Sequence, residues 1–179
     1  MQGRPQNSDP RVRHTRDAVI GALVHLAFER RYDAIRVADL IAAAGVGRAT
    51  FYEHFHSKDD VLLAAMEPIL VPLANAASGR AAKDHVRMML THIWEKRAIG
   101  RIILDSRASA RIHRALAAMI EDRANRGENG EGSISIEAAG AAAAQLAMLR
   151  HWVAGGAPCS PDVLADRMMR CLVLLQRTT

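Results

Sequence analysis

A pair of short helical patterns around a glycine turn, between residues 37 and 55, constrains this chain more than any other feature. Four apolar residues of the first pattern follow the i, i+3, i+4, i+7 spacing of one helix face: Val37, Leu40, Ile41 and Ala44. Gly45 follows, where a helix C-terminus favours a left-handed residue. A second short helix is predicted from Arg48 to about Phe55. Two short helices joined by a tight turn predict a helix-turn-helix.

Longer helices are predicted on both sides of this motif. Asp9 as N-cap and Pro10 as first helical residue begin a helix that runs to near Arg31. Ser57 and Asp60 have the spacing of a capping box, so a fourth helix begins at Lys58. Aromatic residues make up 4% of the chain and alanine is abundant, a balance that favours packed helices over a β-sandwich. The predicted fold class is all-α.

Five of the seven aromatic residues lie between positions 28 and 55, which predicts a small unit with its own aromatic core: Phe28, Tyr32, Phe51, Tyr52 and Phe55. At about 100° per residue, Phe51 and Phe55 point into that core. The outward positions are small or polar, as a helix entering the major groove needs, with Tyr52 and His54 on the flanks. Arg48 is placed to contact a guanine edge from the first helical turn.

The resemblance to a known family rests on Ile35 to Leu62, which read I-R-V-A-D-L-I-A-A-A-G-V-G-R-A-T-F-Y-E-H-F-H-S-K-D-D-V-L. The A-G-V turn, the T-F-Y step, the H-F pair and the lysine that starts the fourth helix resemble the tetracycline-repressor (TetR) family of bacterial transcription regulators. That family usually has threonine at the position of Arg36 and serine at that of Gly47. Arg36 cannot cap the helix as threonine does, but its charge is a candidate phosphate contact. Gly47 lacks the hydroxyl contact that serine would provide.

The residues and the resemblance together predict an interface with double-stranded DNA. Lys58 is expected to hold a phosphate with its charge and the free N–H groups of its helix start. The predicted DNA-binding residues are Arg36, Gly47, Arg48, Ala49, Thr50, Tyr52, His54 and Lys58. The resemblance further implies a homodimeric repressor that binds a near-palindromic operator and is released by a small-molecule inducer.

The rest of the chain is predicted to form a larger helical domain for ligand binding and dimerisation. The domains are expected at 9–57 and 58–179, with a linker helix over 58–78 that Pro68 and Pro72 kink or interrupt. Later helices are predicted over 81–99, 109–126, 134–154 and 163–176, with a short apolar piece at 102–104 set apart by Gly100. The run 127–133 is interpreted as a linker. Alanine-rich residues 138–144 suit close packing between subunits.

Two tryptophans outside the helix-turn-helix mark a candidate effector pocket, and ordinary core packing explains them too. The candidate ligand-binding residues are Met89, His92, Ile93, Trp94, Met119, Met148, His151 and Trp152. No G-x-S-x-G, HExxH or CxxC motif is present, so neither an enzyme nor a metal or other cofactor is predicted.

The competing interpretation is a helical ligand-binding or protein-interaction module that does not bind specific DNA. A net charge of +5 and a pI of 9.9 allow a nucleic-acid partner without requiring one. Cys159 and Cys171 form no paired motif, which favours the cytoplasm. The most apolar stretch, 61–79, is broken by Glu67 and two prolines, so no membrane span is predicted.

Overall fold

The computed structural model of the chain describes residues 10–124 and 134–176, and these ranges contain helices and no strand. A 3₁₀ turn, Tyr32–Ala34, lies between the first two α-helices. The α-helices are α1 (Pro10–Glu29), α2 (Val37–Ala44), α3 (Arg48–His54), α4 (Lys58–Ala77), α5 (Lys83–Glu95), α6 (Arg97–Leu104), α7 (Ser109–Ala124), α8 (Ile136–Val153) and α9 (Pro161–Gln176). The all-α prediction is confirmed. The predicted linker at 127–133 lies outside the described residues.

The chain divides into two compact units, Met1–Ala65 and Met66–Thr179. The division falls inside α4, eight residues after the boundary predicted at 57/58. In the first unit α1 packs on α2, and the core holds Val19, Leu23, Leu40, Phe51 and Phe55 among its fully buried side chains. Burial of these apolar side chains stabilises the unit by about 1.5 to 3 kcal/mol each.

The aromatic core is smaller than predicted, because Phe28 does not belong to it. Its side chain is 62% exposed near the C-terminus of α1, whereas Leu26 and Ala27 are buried. At about 100° per residue, position 28 lies about 200° around the helix from position 26, so its side chain points away from the face that buries Leu26 and Ala27. Tyr52 is also exposed, at 39%, as its predicted flanking position requires.

Helix α4 continues through both prolines as one helix, so the predicted interruption is wrong. Each proline removes an N–H that would bond to the carbonyl four residues earlier, which affects the carbonyls of Ala64 and Pro68. Pro68 is exposed and Ala64 is half-buried, so solvent can bond to these carbonyls. Burial of Leu70 and Leu73 stabilises the same turns. By length and composition alone α4 could cross a membrane, and 44% of its apolar window is buried inside the protein.

The predicted helix 81–99 is two helices. The backbone leaves helical geometry at Lys96, with φ −109° and ψ 24°, and α6 begins at Arg97. Gly100 lies inside α6 and does not set residues 102–104 apart from the preceding helix. A glycine within a helix lowers the stability of the helix but does not end it. The apolar residues at 102–104 are the last turn of α6.

In the second unit α7 packs along α8 and α5 packs along α9. Lys83 of α5 forms ion pairs with Asp166 at 3.0 Å and Asp162 at 3.3 Å in α9. The hydrogen bond to Asp166, followed by that to Asp162, raises the pKa of the Lys83 ammonium above its ordinary value of 10.5. The α5–α9 contact therefore keeps its charge pairing at all physiological pH values.

Gln145 of α8 is a buried polar side chain in this unit. Its Nε2 donates to the carbonyl oxygen of Leu73 in α4 at 2.9 Å. No described group donates to its Oε1, which is fully buried. The amide thus joins α8 to α4 through one hydrogen bond while its oxygen contributes nothing to offset its burial.

Candidate nucleic-acid interface

The turn between α2 and α3 depends on Gly45. Its φ of 65° and ψ of 28° lie in the left-handed region, where a side chain would add strain. The N–H of Val46 bonds to the carbonyl of Ile41 at 3.3 Å, and the N–H of Gly45 to that of Ala42 at 3.3 Å. The predicted left-handed C-terminus is confirmed. This turn fixes the direction in which α3 leaves α2.

Gly47 is the N-cap of α3, with φ −71° and ψ 153°, and offers no side-chain cap. A Cβ added here would meet Thr50 Oγ1 at 3.6 Å, an ordinary van der Waals contact. The position therefore has room for the serine that the resemblance leads one to expect. The missing hydroxyl leaves an N-terminal N–H group of α3 without a cap bond.

Arg36 starts α2 with half of a capping box. Its backbone N–H donates to Asp39 Oδ2 at 2.8 Å, but a guanidinium has no acceptor to return the bond. Arg30 also approaches that carboxylate oxygen, at 3.5 Å. The Arg36 side chain is exposed and forms no ion pair with a described residue, so its charge is available to a phosphate.

Helix α3 presents the outward face that its sequence predicts. Phe51 is fully buried, while Arg48, Ala49, Tyr52 and Glu53 are exposed. The Arg48 guanidinium lies 5.5 Å above the centre of the Tyr52 ring, and that ring meets Phe51 edge-on at 5.3 Å. A buried aromatic residue thus supports Tyr52, and Tyr52 supports Arg48. Thr50 is half-buried beside them.

Arg16 of α1 packs against the end of α3, a contact that the sequence does not predict. Its guanidinium stacks 4.7 Å from the centre of the Phe55 ring, and its Nη1 donates to the carbonyl oxygen of His54 at 3.4 Å. His54 itself is half-buried. The contact joins residues 38 positions apart, and no local pattern signals it. A cation at the last carbonyls of α3 also suits the helix dipole.

The Lys58 side chain makes contacts within the chain that the sequence does not predict. Its Nζ donates to the carbonyl oxygens of Tyr32 at 2.9 Å, Asp33 at 3.4 Å and Ile35 at 2.8 Å. An ammonium has three hydrogens, so these carbonyls occupy all of its donors. The phosphate contact predicted for the Lys58 side chain therefore stays a prediction, and it would require the ammonium to exchange carbonyl partners for a phosphate.

Lys58 instead joins the start of α4 to the segment that enters α2. The Tyr32 ring lies beneath the ammonium, with Nζ 4.4 Å from its centre, and the Tyr32 hydroxyl bonds to Asp59. Tyr32 is only 2% exposed. We call this set, Lys58, Tyr32, Asp59 and the carbonyls of 33 and 35, the Lys58 clamp. It holds the base of the helix-turn-helix against α4.

The two tryptophans of the predicted effector pocket pack against each other. The rings of Trp94 and Trp152 stack with centres 4.7 Å apart and planes at 33°. The indole N–H of Trp152 donates to the carbonyl oxygen of Cys159 at 2.9 Å, and Arg97 covers the Trp94 ring at 4.9 Å. The stack agrees with the core-packing alternative, and ligand binding at these residues stays a prediction.

The other six predicted ligand residues differ in their exposure. Met89 and Ile93 are buried; Met119 and Met148 are half-buried; His92 and His151 are exposed. A groove of about 910 Å³ opens between α7 and α8, and none of the eight predicted residues lines it. Its lining is Ser106, Arg107, Ser109, Ala110, His113, Arg114, Ala117, Ile134, Ala139, Ala143, Leu146, Ala147 and Arg150.

Comparison with known sequences finds a match over the helix-turn-helix. Residues 19–65 match the family described as bacterial regulatory proteins, tetR family. Over 53 residues the chain is 45% identical to the uncharacterized HTH-type transcriptional regulator YwcC of Bacillus subtilis (strain 168). This match covers 30% of the chain and 24% of YwcC, so the likeness spans about a quarter of that relative.

Comparison with solved structures extends over most of the chain. A TetR transcriptional regulator from Streptococcus agalactiae 2603V has a TM-score of 0.55 at 20% identity, covering 90% of this chain and 95% of that one. The dihydroxyacetone kinase operon activator DhaS has a TM-score of 0.52 at 19% identity, covering 89% and 94%. At these identities the likeness establishes the fold alone.

Proposed function

We propose that this chain, whose residues 19–65 match the tetR family of bacterial regulatory proteins, is a DNA-binding transcriptional regulator. The single observation that carries the proposal is the outward face of α3. Arg48 and Tyr52 support each other there, 5.5 Å apart, above a buried Phe51. A short helix with a preorganised arginine in its first turn is suited to contact base edges in the major groove.

The proposed interface adds phosphate contacts around that helix. Arg36 at the start of α2 supplies a cation that is not paired within the described chain. Thr50 and the flanking His54 supply a hydroxyl and an imidazole, and the cap-free N-terminus of α3 supplies backbone N–H groups. Gly47 and Ala49 keep the approach to the groove open because their side chains are absent or short. Phosphate contacts position the helix, while Arg48 selects the sequence.

The active form is proposed to be a homodimer that forms through α8. Its outward residues Ile136, Gly140, Ala143 and Ala147 are exposed and follow the spacing i, i+4, i+7, i+11, and Ile136 is 83% exposed. Small residues at this spacing let two helices approach closely. We name these four residues the α8 stripe. Ala138, Ala141 and Ala142 are buried within the chain, so only part of the predicted 138–144 face is open to a partner.

As a dimer in the cytoplasm, the protein is proposed to repress by occupying a near-palindromic operator until a small molecule releases it. An effector can release DNA only if it binds more tightly to the conformation that binds DNA poorly. Helix α4 belongs to both units by its sequence range, so it is the proposed route between effector and DNA. DhaS is named an activator. A transcription assay decides whether this chain represses or activates transcription.

The test is selection of bound sequences from random duplexes, followed by anisotropy titrations of the selected site. The proposal expects a two-fold symmetric site bound at least about 10³-fold more tightly than random DNA at the same salt concentration. Equal, strongly salt-dependent binding to both duplexes would contradict a sequence-specific regulator. Absence of binding at low salt would favour the helical module without a DNA function.

A further inference from the structure

A continuous stack of two arginines and three aromatic rings runs from α1 to the outward face of α3. The Arg16 guanidinium lies 4.7 Å from the centre of the Phe55 ring, and the centres of the Phe55 and Phe51 rings lie 6.0 Å apart. The Phe51 ring meets that of Tyr52 edge-on at 5.3 Å, and the Arg48 guanidinium lies 5.5 Å from the Tyr52 ring. We call these five residues the arginine–aromatic stack.

The middle of the stack is held by the core of the first unit. Phe51 is fully buried and Phe55 is 2% exposed, so close packing fixes both rings. The two ends are less constrained, because Arg16 is half-buried and Arg48 is exposed. A contact that limits the rotamers of an exposed arginine lowers the entropy that the side chain loses on binding. The position of the Tyr52 ring therefore restricts the orientations that Arg48 can adopt.

Arg16 also holds the C-terminal end of α3. The N–H of Phe55 bonds to the carbonyl oxygen of Phe51 at 2.9 Å and closes the helix. The last carbonyl oxygens of a helix lack partners within it, and Arg16 Nη1 donates to that of His54 at 3.4 Å. One guanidinium thus contacts both the Phe55 ring and the His54 carbonyl. Together the two contacts hold the end of α3 against α1.

Arg16 differs in this respect from Arg13, which lies one turn earlier on α1. Arg13 is exposed and forms no ion pair or hydrogen bond with a described residue. A side chain that only bound phosphate would need no contact with Phe55 or His54 and would be as exposed as Arg13. The half-buried position of Arg16 against the end of α3 therefore fits a role in orienting that helix.

We propose that Arg16 is a positioning residue for sequence recognition. It anchors the inner end of the arginine–aromatic stack and thereby orients Tyr52 and Arg48 toward the base edges. The inference rests on the proposed function, because it requires that the outward face of α3 contacts DNA, and it adds a residue of α1 that touches no base. Loss of Arg16 should therefore reduce discrimination between DNA sequences and have little effect on the general attraction to phosphates.

The first experiment observes the stack in the full chain without DNA. The chain has only two tyrosines, so NMR with isotopically labelled tyrosine can follow each ring separately. Arg16→Met should shift the ring resonances of Tyr52 and leave those of Tyr32, in the Lys58 clamp, in place. Arg13→Met is the matched control, since it removes an exposed cation from the same helix, and it should shift neither ring.

The second experiment measures anisotropy with the selected operator and with random DNA. Arg16→Met should weaken operator binding by about tenfold and random binding by less than about twofold, because the lost contacts orient Arg48 and touch no phosphate. In the Arg48→Ala background the same change should cost less than about twofold, since residues that act through one stack are not additive. The slope of log K against the logarithm of salt concentration should stay unchanged, whereas loss of a phosphate contact would make it shallower by about 0.9.

A milder variant keeps the test independent of folding. Arg16→Lys keeps the charge and most of the side chain, but an ammonium lacks the planar face of a guanidinium. The thermal midpoint should match that of the original chain. The Tyr52 resonances should shift in the same direction as in Arg16→Met, by a smaller amount.

Three results would overturn the inference. Tyr52 resonances that stay in place in both Arg16 variants would remove the link between Arg16 and the recognition face. An undiminished loss of affinity in the Arg48→Ala background would show that Arg16 acts independently of Arg48. A shallower salt slope for Arg16→Met would make Arg16 a phosphate contact. A chain that selects no DNA sequence would instead contradict the proposed function, and the tyrosine resonances would still decide whether Arg16 positions Tyr52.

Discussion

The Nζ of Lys58 lies 2.8 Å from the carbonyl oxygen of Ile35, the residue just before the N-cap of α2. The ammonium that begins α4 therefore determines where the helix-turn-helix begins. DNA affinity should depend on Lys58 through the position of α2 and α3, without a direct ionic contact to DNA.

Lys58→Met is expected to weaken operator binding while leaving its salt dependence unchanged. Loss of the charged hydrogen bonds should also lower the free energy of unfolding by about 2 kcal/mol. Arg36→Met is the matched control, since it removes an exposed cation. For Arg36→Met, the slope of log K against the logarithm of salt concentration should become shallower by about 0.9, the value for one phosphate contact. A flatter slope for Lys58→Met would show that the side chain leaves the carbonyls to bind phosphate.

Arg48→Ala should lower affinity for the selected operator by about 1 to 3 kcal/mol and barely affect random DNA, because a bidentate base contact discriminates by that amount. The measurement is anisotropy with both duplexes at one salt concentration. Glu53→Gln, on the same exposed face, serves as the control for a general change in charge. Equal losses on both duplexes would assign Arg48 to the phosphate backbone.

The two glycines of the turn should respond in opposite directions to substitution. Gly45→Ala forces a side chain to φ 65° and should cost about 1 to 2 kcal/mol of unfolding free energy. Gly47→Ser adds a cap at φ −71° and should stabilise by a few tenths, about 0.3 kcal/mol. Thermal or urea unfolding of both variants measures the difference. A destabilised Gly47→Ser chain would show that the serine hydroxyl fails to reach the N–H groups of α3.

Contacts between residues that are close together in the chain are predictable from the sequence, whereas contacts between distant residues are not. The Gly45 turn and the burial of Phe51 depend on neighbours within one or two helical turns, and the sequence predicts both. The Lys58 clamp joins residues 23 to 27 positions apart, and the Trp94–Trp152 stack depends on how α5 meets α8. The local periodicity of apolar residues does not indicate which distant helices pack against each other.

Charge on the α8 stripe should abolish the dimer. Ala147→Arg introduces a long cation at an exposed position, and a closely packed, symmetric interface would bring two such cations together. Sedimentation should show a monomer with unchanged helix content, and operator half-sites about one helical turn apart, roughly 34 to 36 Å, should no longer be bound together. Ala118→Arg on α7, also exposed, should stay dimeric. A dimeric Ala147→Arg chain would move the interface away from the stripe.

Gln145→Glu should destabilise the second unit by about 3 kcal/mol or more at neutral pH, because the buried carboxyl's pKa would rise by two units or more. A raised folded-state pKa means that the penalty is absent below about pH 4 and grows as pH rises. Gln145→Met removes both the bond to Leu73 and the unpaired Oε1 and should change stability by less than about 1 kcal/mol. Urea unfolding at several pH values separates the two cases.

The occupied ammonium of Lys58 also determines how the protein reacts with amine reagents. The chain has only three lysines, at positions 58, 83 and 96. Acylation needs a free amine lone pair, which three carbonyls deny to Lys58 and two carboxylates disfavour at Lys83. Lys96 is exposed and makes no such contact with a described residue. Among lysine side chains, a limiting amount of an activated ester dye should therefore label Lys96 first, which places a fluorophore in the second unit and leaves the DNA-binding surface unmodified.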